Sequence, residues 1–360
     1  MTDLLANVST LQSTLTRRRS STRLTQEMMK AEQEVSTGFR ADVFGDLGEA
    51  ASESILLRSQ IDRNTAFATT NSLLEGKMEV MAATLGDLRT VAEDYLALAA
   101  SNRDYPGALV TTLQESAIAA IDQIVTKLNT RYQGNALFAG TASDTVALQG
   151  WNEPDAATGL SPADVMASIV GTGPTTEAQA QAMAAEIASV FDGTHADPNM
   201  RFESTFYNGT PALTAGGDPE ERVVALIDEG VRVNYGVQAN DDAFTELLRG
   251  LSMLAAVDPT TITDSDAYAA YVAEAVDAIS VGVGGVLAAE TRLGAQQKLV
   301  EDTTTAQNDV VDIYTTRILA LEGVDPYEAA TRLSQLETQL QSSYAVTARL
   351  MNLSLLNFLI

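Results

Sequence analysis

Few side chains in this sequence could do catalytic or metal chemistry. His195 is the one histidine, and no cysteine occurs in the 360 residues. A general base, a zinc site or a thiolate nucleophile needs such groups next to partners that orient them. His195 stands in the stretch DGTHADP, so we expect a loop histidine in solvent with no chemical role. The sequence therefore predicts no catalytic residue, no metal site and no enzyme activity.

Two glycine motifs have simple structural interpretations. Gly282, Gly284 and Gly285 lack the spacing of a dinucleotide-binding loop and lie inside a helical pattern, which favours a kink or a close helix contact. The Asn208-Gly209-Thr210 triplet matches a glycosylation acceptor, but Asn-Gly is favoured in tight hairpin turns, and we expect a turn there. No cofactor is predicted.

The charge of the chain limits its partners. The chain has 48 acidic and 22 basic residues, which give a formal net charge of -26. Residues 151–285 alone carry 21 acidic and four basic side chains. Phosphate backbones and anionic membranes attract concentrated positive charge, so we expect neither nucleic acid nor membrane as a partner. The start MTDLLANVST lacks the basic and then apolar order of a secretory signal, and we expect no cleaved signal peptide.

Both ends of the chain show the apolar spacing of long, coiled-coil-like helices. A first helix is predicted over residues 4–37 with a stop at Gly38, a second over 49–100, and a third that ends at Gly134. Another long helix is predicted over 266–322, and Asp325-Pro326 restarts a last one, with Glu328 at capping-box spacing. The residues predicted to form a coiled-coil or polymer interface are Leu4, Val8, Leu11, Leu15, Leu333, Leu336, Leu340, Tyr344, Met351, Leu353, Leu356 and Phe358.

The middle of the chain differs from its ends in amino-acid composition and in the spacing of its apolar residues. Glycine, proline, threonine and aspartate are frequent from about residue 150. Phe202, Ser204 and Phe206 alternate like strand residues, and Val231, Val233, Tyr235 and Val237 show period-two alternation. The fold class predicted is mainly α, with a long bundle from both ends and an inserted β-containing (α+β) central domain. We divide the chain into a terminal helical domain (1–44 and 291–360), a helical bundle (45–150 and 239–290) and an outer mixed domain (151–238).

Two segments resemble a known family. Residues 134–148, GNALFAGTASDTVAL, are similar to the segment after the third helix in hook-filament junction proteins of the flagellin family, and the segment carries Leu137, Phe138, Ala139, Gly140 and Thr141. Residues 290–360 resemble the C-terminal region that these proteins share with flagellin. Residues 35–51 match less well, because a serine-aspartate-aspartate-proline run common in the family is absent.

The resemblance implies a structural role in the bacterial flagellum. It implies that the paired terminal helices line a hollow tube and that the chain forms a homo-oligomeric ring beside other hook-associated and flagellin subunits. It also implies export by the flagellar type III apparatus, with an export chaperone as a partner. The extracellular location expected is the hook-filament junction. A flagellin that forms the filament itself and a type III secreted coiled-coil translocator or effector remain the alternatives.

Overall fold

The computed structural model describes residues 2–103 and 110–356, and the side chains of residues 12, 14–103 and 112–349. The helices in chain order are α1 (Thr2–Thr37), α2 (Val43–Leu47), α3 (Ala51–Ser101), α4 (Val110–Leu128), α5 (Pro162–Val170), α6 (Glu177–Phe191), α7 (Phe202–Thr205), α8 (Asp242–Ala256), α9 (Ser265–Glu322) and α10 (Pro326–Leu356). The strands are β1 (Arg131–Tyr132), β2 (Asn135–Ala136), β3 (Val224–Asp228) and β4 (Val231–Asn234). The predicted mainly helical fold is confirmed.

The chain divides into two compact units, each described here by itself. The terminal unit comprises Met1–Ala66 and Ala306–Ile360, and the central unit comprises Phe67–Thr305. The division into three domains that the sequence suggests stays a prediction.

The terminal unit is built around the antiparallel association of the two chain ends. α1 packs against α10, and the start of α3 and the end of α9 belong to the same unit. α1 ends where predicted, because Gly38 adopts a φ of +74°, a left-handed conformation that glycine takes without a Cβ clash. α10 begins at Pro326, and the carboxylate of Asp325 accepts a hydrogen bond from the Tyr327 amide at 2.8 Å. The reciprocal capping-box contact is not formed, since Glu328 instead pairs with Arg332 one turn later.

The central unit contains the apolar core of the described residues. The core joins the buried faces of α3, α4, α8 and α9 with those of α5 and α6. α9 carries an 18-residue window apolar and long enough to cross a membrane, and 44% of that window is buried. Its Tyr271, Ile279 and Val286 are fully buried in this core. Packing inside the central unit therefore accounts for part of the apolar character of the helix, while Val281 and Leu287 are exposed.

The glycines of α9 allow a close helix crossing. A Cβ atom on Gly282 would lie 2.6 Å from the Leu247 Cα atom of α8, and one on Gly285 would lie 2.9 Å from the Ala243 Cα atom. Gly250 of α8 has the same role, because its Cβ would lie 2.4 Å from the Ala275 carbonyl oxygen. α9 continues unbroken from Ser265 to Glu322. Of the two interpretations of this motif, the close helix contact is the one observed.

Three local predictions were wrong. α4 ends at Leu128 rather than near Gly134, because the chain turns into the short β1–β2 hairpin there. Phe202 to Thr205 form a helical turn, which brings the rings of Phe202 and Phe206 within 5.4 Å of each other in a buried aromatic cluster with Phe191. Asn208-Gly209 does not close a hairpin, since Tyr207 bridges to Leu148 and not to a following strand. The predicted strand around Val231 and Val233 is confirmed as β4, which pairs with β3.

Candidate functional site

In the terminal unit, the turn that follows α1 lies beside the turn between α9 and α10. Backbone hydrogen bonds join the two turns. The Arg40 amide donates to the Glu322 carbonyl oxygen at 2.8 Å, and the Val324 amide donates to that of Gly38 at 2.9 Å. Phe39 and Gly323 face each other in an antiparallel bridge between these bonds. A Cβ on Gly323 would lie 2.3 Å from the Leu319 carbonyl oxygen, so this position requires glycine. The turn after α1 and the turn before α10 thus form one structural element.

Two buried carboxylates hold this element in place. Glu322 accepts a hydrogen bond from the Ser54 hydroxyl and one from Arg58 Nη2 at 2.5 Å. Glu34 accepts from the Ala41 amide at 3.3 Å and from Arg332 Nη1 at 3.2 Å, so it links α1, the turn that follows α1, and α10. Buried carboxylates need such partners, because the loss of solvation is costly. No sequence pattern predicts these contacts, since both residues look like ordinary helix-surface glutamates.

The terminal unit has very little apolar core. Its buried apolar side chains, among those the structure describes, are Ala31, Ala51, Ile318, Ala329 and Leu336. Many large apolar side chains of the same unit are exposed instead, namely Leu15, Met29, Val35, Phe39, Phe44, Ile55, Leu56, Ile313, Leu319, Tyr327, Tyr344 and Val346. These exposed side chains are available for contact with other proteins.

The residues predicted to form the interface fall into three groups. Leu336 is buried, and Leu333 and Leu340 are partly buried on the same side of α10. Leu15 and Tyr344 are about half exposed. Leu4, Val8, Leu11, Met351, Leu353 and Leu356 lie within α1 or α10, with side chains outside the described set, and Phe358 lies outside the described residues. The assignment of the whole set as a polymer interface stays a prediction.

The family-like segment is buried in the central unit. Leu137, Phe138 and Ala139 are nearly inaccessible, and Gly140 has a φ of +69°. The Thr210 hydroxyl accepts a hydrogen bond from the Thr141 amide at 2.9 Å. The Thr210 amide donates to the Ala139 carbonyl oxygen at 3.0 Å. The segment therefore has a structural role, and its partner Thr210 belongs to the triplet that resembles a glycosylation acceptor.

His195 was expected to face solvent, and the structure shows that it does not. Its side chain is mostly buried, and Nδ1 accepts a hydrogen bond from the Asp197 amide at 3.1 Å. The Arg201 side chain donates to the His195 carbonyl oxygen at 2.9 Å, which holds the loop together. Its position reflects loop packing, and among the described residues no cluster of histidine, aspartate or glutamate could hold a metal ion.

Paired terminal helices with few buried apolar side chains, together with a well-packed central unit, are typical of a structural protein that assembles with other subunits. Comparison with known families agrees with this class. The bacterial flagellin N-terminal helical region matches residues 8–143, and the bacterial flagellin C-terminal helical region matches residues 276–359. Together the two matches cover more than half of the chain, and the protein belongs to the flagellin family. It is a structural component of the bacterial flagellum, and the family is a structural, non-enzymatic one.

A solved structure shares this fold. The structure of a putative flagellar hook-associated protein from Vibrio parahaemolyticus is 13% identical in sequence, with a TM-score of 0.52, and the match covers 76% of this chain and 98% of that one. At this identity the likeness concerns the fold. No curated protein sequence matches the chain.

Proposed function

We propose that the protein is an adaptor at the junction between hook and filament, assembled as a ring through its terminal helices. The observation that carries the proposal is the imbalance in the terminal unit between a thin core and many exposed apolar side chains. Complete burial of one large apolar side chain stabilises an assembly by about 1.5–3 kcal/mol. Neighbouring subunits would supply the core that the unit lacks.

The choice of the junction rather than the filament rests on the segment from Leu137 to Thr141, which resembles junction proteins. A flagellin that forms the filament is the second candidate, because the same terminal helices serve both roles in this family. Export by the flagellar type III apparatus, with help from a chaperone, belongs to either proposal.

Deletion of the gene separates the candidates. An adaptor is needed between two completed structures, so cells without it should build hooks, fail to retain filaments and shed flagellin into the medium. Electron microscopy and immunoblots of the medium measure both effects. Normal filaments in the deletion strain would refute the adaptor role, and thousands of copies per filament, instead of about one ring, would favour flagellin.

A further inference from the structure

The central unit carries a groove whose charge is opposite to that of the rest of the chain. The groove has a volume of about 690 Å³ and lies between the β3–β4 hairpin, the middle of α3 and the family-like segment. Lys77, Arg222 and Arg232 line it, and Glu221 is the one carboxylate among its described lining residues. Arg222 and Arg232 are two of the four basic residues between positions 151 and 285.

Two of these cations have no carboxylate partner among the described residues. Lys77 Nζ donates a hydrogen bond to the Tyr235 hydroxyl at 3.1 Å and lies 5.0 Å from the centre of that ring. Arg232 is exposed and forms no ion pair within the described part of the chain, whereas Arg222 is paired with Asp241. Positive charge is thus available to a partner, in a chain with more than twice as many acidic as basic residues.

The hairpin adds an apolar surface beside these charges. Val224 and Leu226 are both 48% exposed, and their cross-strand neighbours on the same face are Asn234 and Arg232. β3 and β4 pair only with each other in the described structure. The opposite face of the hairpin packs into the core through Ile227 and Val233, so Val224 and Leu226 are left for a protein that covers the exposed face.

We propose that this groove binds the acidic surface of the central unit of a second copy of this chain. Charge complementarity selects the occupant, because residues 151–285 of each copy carry 21 acidic and four basic side chains. A two-fold contact of the groove with itself would place Lys77 and Arg232 against their own copies, and like charges repel. The groove and the surface that covers it are therefore different parts of the chain, as in the heterologous contacts that generate rings or helical assemblies. The inference rests on the proposed function, since it supplies a second contact for the same assembly.

Charge reversal at Arg232 tests the electrostatic part. In cells where the variant is the only copy, Arg232→Glu should lower the amount of protein retained in isolated flagella by roughly tenfold or more relative to wild type. Lys298→Glu is the matched control, because Lys298 is exposed on α9, lies outside the groove and undergoes the same change of charge. Arg232 has no ion pair to lose, so the thermal transition of the purified Arg232→Glu protein should equal that of the wild type.

A cross-link identifies the occupant directly. The chain has no cysteine, so Val224→Cys introduces a unique attachment site for a photo-activated cross-linker on the groove. In flagella that contain this variant, we expect a product of twice the 38.1 kDa chain mass, with the linked peptide drawn from acidic segments between residues 151 and 285. A link to a different protein, no link, or equal retention of Arg232→Glu and Lys298→Glu would overturn the inference. Absence of the wild-type protein from flagella would instead defeat the proposed function.

Discussion

Glu322 Oε2 lies 2.5 Å from Arg58 Nη2, and the Glu322 side chain is only 2% exposed whereas that of Arg58 is 57% exposed. The pair joins the last residue of α9 to the first part of α3, next to the turn that leads to α10. Because the carboxylate is buried and the guanidinium reaches solvent, loss of the arginine leaves a buried charge with the Ser54 hydroxyl as its remaining side-chain partner.

Arg58→Ala should therefore destabilise the terminal unit by about 1–3 kcal/mol. Hydrogen exchange should accelerate at the amides of Arg40 and Val324, whose bonds span the two turns. The double variant Arg58→Ala/Glu322→Gln should recover part of the loss, because it removes the uncompensated charge. Lys298→Ala is the control. It removes exposed ion pairs with Glu301 and Asp302 on α9, which solvent screens, and should leave the stability nearly unchanged. Equal effects of Arg58→Ala and Lys298→Ala would contradict the structural role of the buried pair.

The close crossing of α8 and α9 makes neighbouring glycines differ sharply. Gly282→Ala places a Cβ 2.6 Å from backbone atoms of Leu247, and the forced shift should cost about 1–3 kcal/mol or more. Gly284→Ala meets nothing within 4 Å and should be neutral or stabilising by up to about 1 kcal/mol, because alanine favours the helix. Thermal unfolding of the two proteins measures the difference. A Tm for Gly282→Ala equal to that of Gly284→Ala would show that the helices do not cross so closely.

The buried tyrosines of the central unit predict sensitivity to high pH. Burial raises the pKa of Tyr95 and of Tyr271, and their hydroxyls donate to the carbonyl oxygens of Leu113 and Met253 at 3.1 and 2.9 Å. Since the folded pKa exceeds that of the unfolded chain, the stabilisation is complete below about pH 10, the ordinary tyrosine pKa. It is lost progressively as the pH rises above that value, because only the unfolded chain releases the proton.

The measurement is the Tm of the protein from about pH 8 to about pH 11, a range that includes the ordinary tyrosine pKa. Tyr271→Phe should lower the Tm at neutral pH, because the hydrogen bond is lost, and should make the alkaline decline shallower. Tyr327→Phe is the matched control, since Tyr327 is almost fully exposed, and it should follow the wild-type curve. A decline of unchanged slope in Tyr271→Phe would exclude this tyrosine as a source of the effect.

The exposed apolar residues of the terminal unit should matter for assembly and not for the folded chain. Leu15 is 49% exposed, so Leu15→Asp should leave the thermal unfolding of the purified protein unchanged and should abolish filament retention in cells. A carboxylate placed in an apolar contact costs several kcal/mol, and the cost recurs at each subunit contact. Thr16→Asp adds the same charge at an exposed polar position next to it and should retain filaments. Filament loss in both variants would show an effect of charge alone.

Residues 350–360, LMNLSLLNFLI, carry no charged side chain, and they lead to the same expectation. Leu353→Asp or Leu356→Asp should leave the central unit folded, because the described core of that unit contains no residue beyond position 305. The assembly should fail, because each leucine contributes about 1.5–3 kcal/mol when buried. Ser354→Asp serves as the control for charge. A lower Tm of the central unit in the leucine variants would place the strip in an intramolecular core, and normal filaments would rule out a buried role.

The sequence alone determined the long helices and the resemblance to the family. Apolar spacing of three and four residues identifies a long helix from local information, and Gly38 and Pro326 mark helix ends through backbone conformation alone. The predicted spans 4–37 and 266–322 therefore lie within one or two residues of α1 and α9. The segment from Leu137 to Thr141 could be matched to the family before any contact was known.

Only the tertiary structure decided which residues those helices bring together. Phe202 and Phe206 alternate like strand residues, yet they form a helical turn because an aromatic cluster with Phe191 receives both rings on one side. The burial of Glu322 likewise depends on Arg58 and Ser54, more than 260 positions earlier in the chain. Such contacts leave no local pattern in the sequence. The residues of a helix face have the same spacing and polarity whether water or a distant segment of the chain covers that face. The cationic groove arises in the same way, since folding brings Lys77 beside residues of the β3–β4 hairpin.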